Sequence, residues 1–148
     1  MSETITNQIL AGRRLYVAYG RYMSFAEMTK LCQQAEHLGA GEILHWYLTI
    51  QGNSMENIIP CCGARVPAAI WGITIADEME LDAVFNYRFT YTKIEMRVEY
   101  NGEIYSGYTY VLNSLLPISA PSKELKLIMQ EGYSDNGFSA SKWDSRFF

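Results

Sequence analysis

The stretch Tyr19-Gly20-Arg21-Tyr22 is the part of this sequence best suited to holding a ligand. A glycine turn that runs toward a helix N-terminus presents backbone N–H groups with no intrahelical partner, and such groups attract anions. Arg21 adds a guanidinium whose planar fork of donors matches a carboxylate or a phosphate. The competing reading is that Arg21 faces solvent or pairs with a surface acid, as long charged side chains mostly do. Tyr22 beside it offers a ring that stacks on a flat ligand or covers the mouth of a barrel. Other reactive side chains carry less. Cys32 falls on an apolar helix face and reads as core, where free cysteine usually sits. Cys61 and Cys62 are adjacent in what reads as a loop, and neither a CxxC pair nor a Cys/His spacing for a metal is present. His37 and His45 stand alone, so no metal and no cofactor is expected.

The glycine turn needs elements on both sides. Leu15-Tyr16-Val17-Ala18-Tyr19 reads as a buried strand closed by Gly20. Ser24 then caps a helix, with Glu27 three residues on completing a capping box. Phe25, Met28, Leu31, Cys32, Ala35 and Leu38 recur at helical spacing, and Gly39 is expected to stop that helix. A strand over 42–50 follows, then a turn at 51–54. The segment 55–63 holds Pro60, lacks a clean period and reads as a loop. Residues 65–73 return to a strand with Pro67 near its start. Thr74 and Asp77 cap a helix through Val84. From Tyr91 the pattern alternates, with Ile94, Met96, Val98 and Tyr100 on one face and Lys93, Glu95, Arg97 and Glu99 on the other. Asn101-Gly102 marks a tight hairpin, and the return strand runs 103–112. A last helix is expected over 122–131, stopped by Gly132, with an aromatic tail beyond it holding Trp143, Phe147 and Phe148. Strands outnumber helices, which suits a mixed α+β chain with a small barrel-like sheet.

The totals narrow the function classes. The chain has 148 residues, one domain's worth, with 49% apolar and 14% aromatic residues, 11 of them tyrosines. Its formal charge of −4, with no basic run longer than Arg13-Arg14, argues against general nucleic-acid binding. No apolar stretch is long enough to cross a bilayer, and residues 1–10 lack a signal-peptide core, so a cytoplasmic protein is expected. Residues 1–13 read as a polar lead-in and 14–148 as the folded domain.

Six segments, taken in order, resemble the γ-glutamylcyclotransferase-like superfamily. Leu15 to Gly20 is similar to its YxAYGSN start. Val66 to Thr74, VPAAIWGIT, resembles its VxGxxWxIT strand. Leu81-Asp82 resembles the opening of LDxxEG, and Tyr91-Thr92-Lys93 the start of its next strand. Tyr108-Thr109-Tyr110 is similar to its aromatic return strand, and Gly132-Tyr133 with Gly137-Phe138 to its GYxDxGF tail. The resemblance covers roughly 15–140. It implies a small mixed β-barrel with flanking helices and a pocket at one end, floored by the loop after Tyr19, whose amides hold a substrate carboxylate. It also implies release of 5-oxoproline from γ-glutamyl compounds. There the substrate's α-amine attacks its own γ-carbonyl, and a carboxylate takes and returns the proton.

This chain departs from that pattern where the chemistry is done. The carboxylate of LDxxEG falls on Phe85 and the glycine on Asn86. The serine of YGSN falls on Arg21, and a tyrosine early in the last helix falls on Leu125. Phenylalanine moves no proton, so no catalytic residue is assigned. The leading expectation is a binding protein without the family's turnover, holding a small anionic molecule, an amino-acid derivative or a phosphate-bearing one. The ligand-binding residues would be Tyr19, Gly20, Arg21, Tyr22, Met23, Phe85, Tyr91 and Tyr110. One alternative is a divergent cyclotransferase, which a carboxylate reaching the loop, from Glu95, Glu103 or elsewhere, would restore. Another is an interaction module using the aromatic tail.

Overall fold

A computed structural model describes residues 3–139. Five strands close into a barrel in the order β1-β3-β2-β4-β5. β1 (Arg14–Ala18) is buried from Leu15 onward. It pairs antiparallel with β3 (Met55–Ile73), and meets β5 (Glu103–Leu112) in parallel at Tyr16 opposite Tyr108. β2 (Glu36–Gln51) and β3 form a long hairpin, and β4 (Tyr91–Tyr100) and β5 form the second. Asn101 and Gly102 turn that second hairpin, both with positive φ (51° and 79°), as its twist requires. The mixed α+β barrel expected from the sequence is the fold observed.

Among the described residues four helices flank the barrel: α1 (Glu3–Leu10), α2 (Phe25–Leu31), α3 (Ile75–Val84) and α4 (Lys123–Asp135), with a 3₁₀ turn at Arg21–Met23. The core is rich in rings, with Tyr16, Tyr19, Trp71, Tyr108, Tyr110 and Tyr133 all buried. Thr74 caps α3 through a complete capping box with Asp77. Ser24 caps α2 by accepting from the Glu27 N–H, but the Glu27 side chain does not return the bond and pairs with Arg21 and Lys30 instead.

Several expectations are corrected. The lead-in contains a helix, α1, whose Ile5 is fully buried, so residues 3–10 belong to the packed body. α2 ends at Leu31, and Leu38 lies on β2. Segment 55–63 is the first half of β3. Pro60 is accommodated because β1 pairs with β3 only from Ala69 to Ile73, which leaves Pro60 on an edge. α4 runs through Gly132, where a Cβ would sit 2.8 Å from both Met23 Cβ and the Ser24 nitrogen. That glycine is a point of close approach between α4 and the 3₁₀ turn. Cys32 is buried as expected, and Cys61 and Cys62 are exposed. The aromatic tail at Trp143, Phe147 and Phe148 lies outside the described residues.

Candidate functional site

β1 ends by delivering Tyr19 and Gly20 to one end of the barrel, and the 3₁₀ turn carries Arg21 and Tyr22 across it. The Tyr19 hydroxyl donates to the Tyr110 carbonyl (2.7 Å), tying the loop to β5. Trp71 Nε1 donates to the Tyr22 carbonyl (3.0 Å), fixing the far side of the turn on β3.

Phe85 is the residue that follows α3, and it is buried among rings. It stacks on Tyr110 (centroids 4.3 Å apart, 12° between planes), meets Tyr91 edge-on at 5.0 Å and Tyr22 at 5.7 Å. The position that resembles the family's carboxylate is thus the centre of an aromatic wall.

A carboxylate does reach the glycine turn, from a residue that sequence reasoning missed. Glu56, the second residue of β3, points inward with Ile58 and is only 8% exposed. Its Oε1 accepts from the Arg21 N–H at 3.1 Å. The side chain lies in the space a Cβ on Gly20 would fill: that atom would stand 2.6 Å from Glu56 Cδ and 2.7 Å from Oε1. Tyr91 anchors the Glu56 backbone by donating to its carbonyl (2.8 Å). Among the described residues, Oε2 of Glu56 takes no hydrogen bond. Burial raises the Glu56 carboxyl above its ordinary value, and the Arg21 N–H and charge oppose that shift. Its charge is in turn felt by Tyr16, Tyr19, Tyr22 and Tyr91. Burial together with Glu56 pushes the Tyr22 hydroxyl up to about 12.

The structure therefore gathers Tyr19, Gly20, Arg21, Tyr22, Phe85, Tyr91 and Tyr110 at one place, but not with the expected roles throughout. The Arg21 side chain is committed to Glu27 (2.9 Å) and Glu124 (3.5 Å), so its guanidinium pairs with those acids, and its backbone N–H is the group that bonds Glu56. Met23 is fully buried against α4 at Gly132 and belongs to the core. Glu95 is exposed and accepts from Ser106 (2.8 Å), and Glu103 is exposed on β5; neither is the acid at the loop. Behind the aromatic wall, Tyr110 donates to Asp82 (2.6 Å), and Lys93 is clasped by Asp82 (2.9 Å) and Glu78 (2.5 Å). That cluster neutralises its own charges.

Among the described residues, no group of three or more His, Cys, Asp or Glu side chains is arranged to hold a metal ion. No helix among the described residues is long and apolar enough to cross a membrane. What the floor offers is one buried carboxylate with a free oxygen, one engaged amide donor and a ring-lined wall, a set suited to proton transfer with a bound amine.

The family model described as "Gamma-glutamyl cyclotransferase, AIG2-like" matches residues 16–135. A solved structure titled "Gamma-glutamyl cyclotransferase" is similar at 18% identity and a TM-score of 0.79, over 87% of this chain and 83% of that one. An uncharacterized protein from Homo sapiens is similar at 18% identity and a TM-score of 0.80, with the same coverage of each chain. A Mus musculus AIG2-like protein is similar at 16% identity and 0.60, over 72% and 86%. No curated protein matches this sequence significantly.

Proposed function

Because this chain belongs to the γ-glutamyl cyclotransferase, AIG2-like family, we propose that it is a divergent cyclotransferase whose acid–base carboxylate has moved from the end of α3 to the start of β3. The observation that carries this reading is Glu56, buried and within hydrogen-bond distance of the Arg21 amide. The family reaction requires one group that takes a proton from the substrate's α-ammonium and returns it to the leaving amine. A carboxyl raised by desolvation suits both halves of that cycle better than one at the ordinary glutamate value. In this reading Glu56 accepts the ammonium proton. The freed amine attacks the γ-carbonyl carbon, the bond to the departing amine breaks as Glu56 returns its proton to that amine, and the ring nitrogen gives up its second proton, leaving a five-membered lactam and the departing amine as an ammonium. Gly20 gives the Glu56 carboxyl room, Tyr91 holds its backbone, and Tyr19 braces the loop. Phe85, in place of the family's acid, presents a ring to the rest of the ligand.

A second reading is favoured by the same wall. Phe85 stacked on Tyr110 and an Arg21 amide already engaged suit a protein that binds a small molecule without turning it over. Lactam release decides between them. A panel of γ-glutamyl amines and dipeptides is incubated with the full chain, and 5-oxoproline or its derivative is measured against a no-enzyme control. Release supports the cyclotransferase. Thermal stabilisation by a panel member without release supports the binder.

A further inference from the structure

We infer that the pocket floor selects an ammonium group and rejects a free carboxylate beside it, so that the γ-glutamyl compounds it accepts are those whose α-carboxyl is uncharged, as an amide or an ester. The inference rests on the cyclotransferase reading only for its choice of probes.

Three observations carry it. First, the anion site that a glycine turn would offer is already filled from inside the protein. Glu56 takes the Arg21 N–H, and its carboxyl lies in the volume Gly20 leaves open. Second, the two cations named above among the described residues are already engaged with acids. Arg21 is held by Glu27 and Glu124, and Lys93 by Glu78 and Asp82. The anionic ligand expected from the sequence needed both the amide and the guanidinium to be free. Third, the surroundings of Glu56 suit a cation. Its Oε2 has no partner among the described residues although the side chain is more than nine-tenths buried. The Tyr91 hydroxyl holds the Glu56 carbonyl at 2.8 Å, and the Glu56 charge is felt by the hydroxyls of Tyr19, Tyr22 and Tyr91, so the surroundings are already negative in character. A second carboxylate brought against Glu56 would force two like charges together in a poorly solvated place, and one of them would have to be neutralised.

The test compares a γ-glutamyl anilide that has a free α-carboxylate with its α-carboxamide, at matched concentration. Lactam release and the shift in melting temperature are read for wild type and Glu56→Gln. The α-carboxamide is expected to be preferred by about tenfold or more in release or in affinity, the scale of one uncompensated charge. That preference should fall toward unity in the binding of Glu56→Gln. Equal or better use of the free acid by wild type overturns the inference, and its turnover would leave the cyclotransferase reading standing. Binding of the carboxamide without lactam release would do the reverse. Neither compound binding nor reacting would sink both.

Discussion

Replacing Gly20 by alanine should push the Glu56 carboxyl off the loop, and the size of the effect can be worked out. The new Cβ would lie 2.6 Å from Cδ, 2.7 Å from Oε1 and 2.9 Å from Cγ of Glu56, whereas ordinary contact begins near 3.4 Å. Relieving the closest approach requires a retreat of about 0.8 Å. The Arg21 N–H to Oε1 distance, now 3.1 Å, would then pass hydrogen-bonding range. Over-packing of this kind costs roughly 1–3 kcal/mol, and the lost bond to a carboxyl falls within the same span. We expect about 2 kcal/mol, or about 4–8 °C in Tm for a chain of this size. The assay is a double-mutant cycle by urea or thermal denaturation. In a Glu56→Ala background the obstructing atoms are gone, and Gly20→Ala should then cost less than about 0.5 kcal/mol. An equal cost in both backgrounds would mean that Glu56 does not rest on Gly20, and the placement of the carboxyl beneath the turn would be wrong.

Phe85→Ala should destabilise by about 3 kcal/mol, because it removes a buried ring with three aromatic neighbours; a loss under about 1 kcal/mol in urea melts would contradict the stack. Glu56→Gln tests the raised carboxyl. Folding favours its protonated form, so its contribution is fully present below the unfolded pKa and is lost as pH rises through the folded one. The Tm of Glu56→Gln minus that of wild type should therefore grow as pH rises above the ordinary glutamate value of about 4.3, and a flat or falling difference would rule the shift out. Arg21→Ala should cost under about 1 kcal/mol in thermal melts, the range of partly exposed ion pairs, and leave ligand-induced shifts intact; loss of those shifts would return the guanidinium to the pocket.

Much of the barrel could be read from local chemistry. Alternation around Asn101-Gly102 gave the second hairpin, and Thr74 with Asp77 gave the start of α3. Tyr19, Gly20, Tyr22, Phe85, Tyr91 and Tyr110 do meet at one place, through a resemblance that ordered segments far apart in the chain. Glu56 escapes the sequence reading because Pro60 and the lack of a clean period make the first half of β3 look like a loop. Read as a strand, Glu56 and Ile58 share a face, and an acid on the face of a buried isoleucine is the signal that would have found it. The helical spacing overshoots the end of α2 because Ala35 and Leu38 continue it by coincidence, while Leu38 faces the core from β2. Arg21 stays open between pocket and surface pairing in the sequence because its nearer partner, Glu27, six residues on, reads as the capping acid of α2, and its second, Glu124, lies more than a hundred residues away.

The most direct test is the rate of lactam release from a γ-glutamyl amine by wild type and by Glu56→Gln under identical conditions. If Glu56 moves the proton, the variant melts at or above the wild-type temperature near neutral pH and loses about 10²–10⁴-fold in rate. Release that is undiminished in the variant would contradict that role, and a wild type that releases nothing from any member of the panel would leave the pocket as a binding site alone.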